Sequence, residues 1–87
     1  MKSRNEVSKE IAHIICATEL GETIAGSYKA EDINSRTKLA DDLGFDSLDI
    51  QELACRLEEH YRIIIPPSML EDLKTVGDFA DVVNLRR

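Results

Sequence analysis

Residues 39–62 read LADDLGFDSLDIQELACRLEEHYR. Asp46 followed three residues later by Asp49 is a helix-start signature: a side-chain oxygen at the cap can accept an N–H of the first turn, and the later acid can reach back. From that start Ile50, Leu53, Ala54, Leu57 and Tyr61 fall within about 100° of one another at 100° per residue, a stripe that faces a core. The helix should end near Tyr61 or Arg62, because Ile63-Ile64-Ile65-Pro66-Pro67 reads as extended chain. Three consecutive isoleucines could make a strand, but the chain offers no second strand to pair with it. Ser47 then falls at the first helical position, outside the core and beside N–H groups that lack partners, where an anion carried on its hydroxyl is favoured.

Three further capping signatures complete an all-α reading. Ser3 with Glu6 opens a first helix that carries Val7, Ile11, Ile14, Ile15 and Thr18 on one side and runs to Leu20-Gly21. Ser68 with Glu71 opens a one-turn helix, and Thr75 with Asp78 opens the last, with Val76, Phe79, Ala80 and Val83 inward. The expected fold is a four-helix bundle, three longer helices and one short, with a long loop after the first helix and a single domain over residues 1–87. That loop, between Gly21 and Phe45, is longer than compact domains usually leave unstructured. Ile24, Ile33, Leu39, Leu43 and Phe45 can anchor it, and Ala30-Glu31-Asp32-Ile33 can form a brief turn.

A chain of 87 residues buries only about 60 to 65 per cent of its unfolded surface. With no tryptophan and only Phe45, Phe79, Tyr28 and Tyr61 as aromatics, its core is built mainly from Ile, Leu, Val and Ala. No apolar run approaches a membrane span, and the first six residues have no signal-peptide core behind them, so a cytoplasmic location is expected. Cys16 and Cys55 fit neither a disulfide framework nor a metal site, for no Cys-x-x-Cys or paired ligand spacing accompanies them.

The resemblance to a known family rests on order and spacing across residues 39–83: acidic LADDLGFDSLD, amphipathic ELACRLEEHYRIIIP, a short SMLEDL turn, then TVGDFADVV. This stretch resembles the acyl carrier protein family. The resemblance implies a bundle of that type, in which Ser47 carries 4′-phosphopantetheine through a phosphodiester and the thiol of that arm holds acyl groups as thioesters. It implies a carrier rather than an enzyme, loaded from coenzyme A by a phosphopantetheinyl transferase and serving acyl-transferring or acyl-modifying enzymes of fatty-acid or specialised acyl biosynthesis. An aliphatic interior with few rings is one that an acyl chain can part. The alternatives are a stand-alone carrier of polyketide or aminoacyl units and, from a different class, an unmodified helical interaction module. Asp-Ser-Leu also occurs in serine hydrolases as Gly-Asp-Ser-Leu, but Phe45 stands before the aspartate here, and neither His13 nor His60 sits in a catalytic motif.

The net charge of −6 is uneven: residues 41–72 carry nine acids against Arg56 and Arg62. Asp41, Asp42, Asp46, Asp49, Glu52, Glu58 and Glu59 surround Ser47 and present a negative field to a basic partner groove, where a solvated helix face is the ordinary alternative. The same field argues against nucleic acid, whose binding is carried by Lys and Arg. Leu48, Gln51 and Cys55, spaced three and four apart, share one side of the helix with Glu52 and Glu59 flanking them. By resemblance that side meets partner enzymes, with Asp46 and Leu48 as transferase contacts and Asp49, Glu52, Glu58 and Glu59 as the electrostatic set. Gln51 and Cys55 replace residues that are commonly aliphatic or methionine in the family, a change that fits either neutral surface drift or adaptation to dedicated partners. A monomer is expected.

Overall fold

The structure, a computed structural model, describes residues 2–24 and 28–86. Its elements are α1 (Arg4–Ala17), α2 (Leu20–Thr23), a 3₁₀ turn (Ala30–Asp32), α3 (Ser47–Tyr61), a 3₁₀ segment (Pro67–Asp72) and α4 (Val76–Arg86). Among the described residues there is no strand, only an isolated antiparallel bridge between Lys38 and Thr75. The architecture is the all-helical bundle that the capping signatures predict. α1 packs most extensively against α4, and α3 meets α1, α2 and the 3₁₀ segment. Val7, Ile11 and Ile15 of α1, Leu53 and Leu57 of α3, and Val76, Phe79 and Val83 of α4 are fully buried. Each contributes about 1.5–3 kcal/mol of transfer free energy.

The caps of α1, α3 and α4 form as their sequences predict. The Glu6 N–H donates to Ser3 Oγ at 3.1 Å. At α4 the Asp78 N–H donates to Thr75 Oγ1 at 3.1 Å, and Thr75 N–H returns a bond to Asp78 Oδ2 at 3.0 Å. Two boundaries differ from expectation. α1 ends at Ala17 rather than continuing to Gly21, because Thr18 turns extended and donates both its N–H and its hydroxyl to the Ile15 carbonyl. A threonine offering its own hydrogen bond competes with helical continuation. The chain restarts as α2, where Gly21 passes close to the end of α1: a Cβ there would lie 3.0 Å from the Cys16 carbonyl oxygen. Downstream, Ser68 and Glu71 do not form a cap. The segment begins at Pro67, whose fixed φ suits a first helical position, so Ser68 is already inside it.

The long loop is anchored as its apolar residues predict. Ile33, Leu39, Leu43 and Phe45 are buried and Ile24 packs partly against the same core. Its backbone is stitched to the entry of α4: Leu39 N–H donates to Lys74 O at 2.9 Å, Val76 N–H to Thr37 O at 3.0 Å and Gly77 N–H to Ser35 O at 2.9 Å. The three isoleucines belong to no helix or strand, with Ile63 and Ile65 buried and Ile64 exposed.

Candidate functional site

The site begins with a tight turn that delivers the chain to the start of α3. Leu43 N–H donates to Lys38 O, Gly44 N–H to Ala40 O and Phe45 N–H to Leu39 O, at 3.2, 3.0 and 2.9 Å. Gly44 closes the turn at φ 75°, a left-handed conformation that glycine adopts without a Cβ penalty. The turn buries Leu39, Leu43 and Phe45, so Asp46 emerges from a fixed point at the surface. Asp46 is extended, its Oδ1 accepts the Asp49 N–H at 2.9 Å, and Asp49 Oδ2 accepts the Asp46 N–H at 3.0 Å. Ser47 follows as the first residue of α3 and is exposed. Neither its N–H nor that of Leu48 has a partner among the described residues, and its hydroxyl makes no side-chain bond there. An exposed hydroxyl beside two unpaired N–H groups at the positive end of a 15-residue helix suits attachment of a phosphodiester.

Neither histidine is placed beside that hydroxyl. His60 lies about 20 Å farther along α3 at 1.5 Å per residue and packs edge-on against Tyr61, ring centres 4.7 Å apart. His13 belongs to a different groove.

The remaining expected site residues divide by what their side chains already hold. Leu48 is 71% exposed, and Gln51, Cys55 and Glu59 are exposed on the same face. Asp46 and Asp49 spend one carboxylate oxygen each on the cap. Glu52 lies 3.4 Å from the Arg56 guanidinium, which also reaches Glu19 at 2.7 Å and so ties α3 to the segment between α1 and α2. Glu58 does not sit with the outward acids. It is half-buried, and its Oε2 accepts the Ile65 N–H at 2.9 Å, supplying the acceptor that an unpaired extended segment otherwise lacks. The spacing from Glu58 to Ile65 carries no local motif that would reveal this bond.

Beside the start of α3 lies a cleft of about 440 Å³. Ile50, Leu70 and Leu73 form its apolar lining, and Lys38, Asp41 and Lys74 its polar edge. Ile50 is about one turn beyond Ser47, so the opening adjoins the exposed start of α3. Between the helix stripes the interior is packed, with Phe79 fully buried among them.

A family model described as phosphopantetheine attachment site matches residues 15–83. The chain belongs to that family, the family of acyl carrier proteins. It is 32% identical over 81 residues to the mitochondrial acyl carrier protein of Saccharomyces cerevisiae, covering 93% of this chain and 62% of the relative. It is 46% identical over 48 residues to an acyl carrier protein of Wolinella succinogenes, covering 55% of this chain and 63% of the relative. Over 57 residues it is 42% identical to an acyl carrier protein of Clostridium perfringens, with 66% and 75% covered. The chain thus spans just under two thirds of the first two of these relatives. Their names are those of carriers rather than enzymes, and the family's prosthetic group is phosphopantetheine. Among the described residues no helix is long and apolar enough to cross a membrane.

Proposed function

We propose that Ser47 Oγ is the attachment point of 4′-phosphopantetheine and that residues 1–87 act as one acyl carrier domain in fatty-acid or specialised acyl biosynthesis. The single observation that carries this reading is the exposed Ser47 hydroxyl at the start of α3 beside the unpaired N–H groups of Ser47 and Leu48. In the loading step Ser47 Oγ loses its proton and bonds the β-phosphorus of coenzyme A, while the bond to the α-phosphate breaks and 3′,5′-ADP departs. The attached group supplies a terminal thiol on which acyl chains are held as thioesters. Ser47 and Leu48 orient the phosphodiester through their N–H groups. Asp46 and Asp49 keep the helix start rigid, and Leu48, Gln51, Glu52, Cys55 and Glu59 form the face that basic transferases and acyl-handling enzymes meet. The apolar lining of Ile50, Leu70 and Leu73 offers a cargo chain shelter worth about 0.8 kcal/mol per buried methylene. Cytoplasm is the proposed compartment, where the exposed, unbridged Cys16 and Cys55 stay reduced.

The test is intact mass after coexpression with a broad-specificity transferase. Wild-type protein should gain one phosphopantetheine increment and Ser47→Ala none. An increment that persists in Ser47→Ala would sink the assignment.

A further inference from the structure

Away from the start of α3, one face of α1 and the loop after α2 enclose an open groove of about 740 Å³. Lys9 and His13 contribute from successive turns of α1, and Lys29 and Arg36 from the loop, with Glu31 the only acid among the lining residues. All four of these cationic or titratable side chains are exposed. In a chain of net charge −6 this is a local excess of positive charge. It is not spent internally: among the described residues Lys9, Lys29 and Arg36 form no ion pair, whereas Lys2, Arg4 and Arg56 all do.

We propose that this groove is a second docking surface, complementary to an acidic segment of a partner protein and separate from the acidic face beside Ser47. The spread of the cations favours an extended protein segment over a bound phosphate. A phosphate cradle needs free N–H groups converging on one point, and most of the loop's donors are occupied. Lys29 N–H donates to Asp32 Oδ2, Asn34 N–H to Thr37 Oγ1 and Arg36 N–H to Asn34 Oδ1. Asp32, Ile33 and Thr37 N–H groups bond Lys29, Ala30 and Asn34 carbonyls, which leaves those of Ala30, Glu31 and Ser35 without a partner among the described residues. The cations themselves are long, flexible and set on two walls. Lys9 and His13 are separated by about 6 Å of helix rise, and the loop cations stand on the other wall. Such a surface draws an extended acidic stretch and steers its approach. The two faces have opposite sign, so a basic enzyme that meets α3 is repelled here, and an acidic partner here is repelled from α3. One partner can therefore hold the carrier while another works at Ser47, which raises the local concentration of the carrier at that second enzyme.

The test uses the full chain, isotope-labelled for amide-shift mapping and titrated at low salt with a ten-residue polyglutamate peptide. Saturable shifts should centre on Lys9, His13, Lys29 and Arg36 and fade as salt rises. The double variant Lys9→Glu/Arg36→Glu should weaken binding about five-fold or more, with an unchanged circular dichroism spectrum and unchanged loading of Ser47. A Lys9→Gln/Arg36→Gln variant should fall between the two. Shifts that map instead to α3, absence of binding, or saturation of these residues by tripolyphosphate but not by the peptide would each overturn the proposal. Because loading at Ser47 is weighed separately by mass, failure here leaves the carrier reading standing, and failure of loading leaves this surface standing.

Discussion

The starts of α3 and α4 are built with the same device and end up with opposite fates. Both use a reciprocal cap, Asp46 with Asp49 and Thr75 with Asp78, at 2.9–3.0 Å and 3.0–3.1 Å. The first helical residue of α4, Val76, is fully buried, and its N–H and that of Gly77 are consumed by the carbonyls of Thr37 and Ser35. The first helical residue of α3, Ser47, is exposed, and its N–H and that of Leu48 have no partner among the described residues. A capping box therefore marks where a helix begins and says nothing about whether that beginning can receive a ligand. What decides is whether the next two donors are already satisfied and whether the next side chain faces water.

The largest expected effect comes from prising the loop off the start of α4. Gly77 is the second residue of α4, where helix propensity favours alanine by at most about 1 kcal/mol. Here an added Cβ would lie 2.6 Å from the Ser35 carbonyl oxygen and from the Arg4 guanidinium. The arginine can swing away. The carbonyl is held by the Gly77 N–H itself and cannot yield cheaply, so Gly77→Ala should destabilise the fold by about 1–3 kcal/mol. At roughly 4–8 °C per kcal/mol for a domain of this size, that loss is readily seen by calorimetry. The folded fraction should still be loaded at Ser47, since nothing at the start of α3 changes. A higher melting temperature would mean that helix propensity outweighs the contact.

Next in size are the caps themselves. Asp46→Ala and Thr75→Ala should each cost about 1 kcal/mol, the usual loss when a side-chain cap is removed. Their functional consequences should differ. Only Asp46→Ala disturbs the helix start that presents Ser47, so only it should slow transferase loading in a mass-resolved time course. Equal slowing in both variants would mean that stability, rather than local geometry, limits loading, and the contrast between the two helix starts would lose its meaning.

What could be read from the sequence follows the range of the interactions concerned. The starts of α1, α3 and α4 were legible because a cap and its partner lie three residues apart, and the core stripes of α3 and α4 because helical periodicity places them. Ser47 was legible for the same reason: its position follows from Asp46 and Asp49 alone. The end of α1 was not, because whether Thr18 bonds back to Ile15 depends on Leu20 finding the core three-dimensionally. The role of Glu58 was hidden because its partner, Ile65, lies beyond the helix, in a segment whose need for an acceptor appears only once it is folded without a strand beside it. The basic groove was least legible of all, since Lys9 and His13 meet Lys29 and Arg36 only through the packing of the loop on α1.

The smallest expected effect tests whether the surface beside Ser47 differs from other surface in more than its unpaired donors. Glu59 is the cleanest acid for this purpose: it is exposed and without a partner among the described residues, whereas Glu52 is engaged with Arg56 and Glu58 with Ile65. Glu59→Lys should leave stability within about 0.5 kcal/mol, as exposed substitutions usually do. If the acids of α3 steer a basic transferase, the same change should slow association several-fold at low salt. The difference should shrink as the Debye length falls to about 10 Å at 0.1 M salt. Glu22→Lys supplies the control, because it reverses an exposed charge on α2, off the α3 face, and alters net charge by the same amount. Stopped-flow association across a salt series separates the cases. Slowing confined to Glu59→Lys places the steering on α3, while equal slowing in both variants reduces it to the net charge of −6 and leaves the start of α3 distinguished by Ser47 and its neighbouring N–H groups alone.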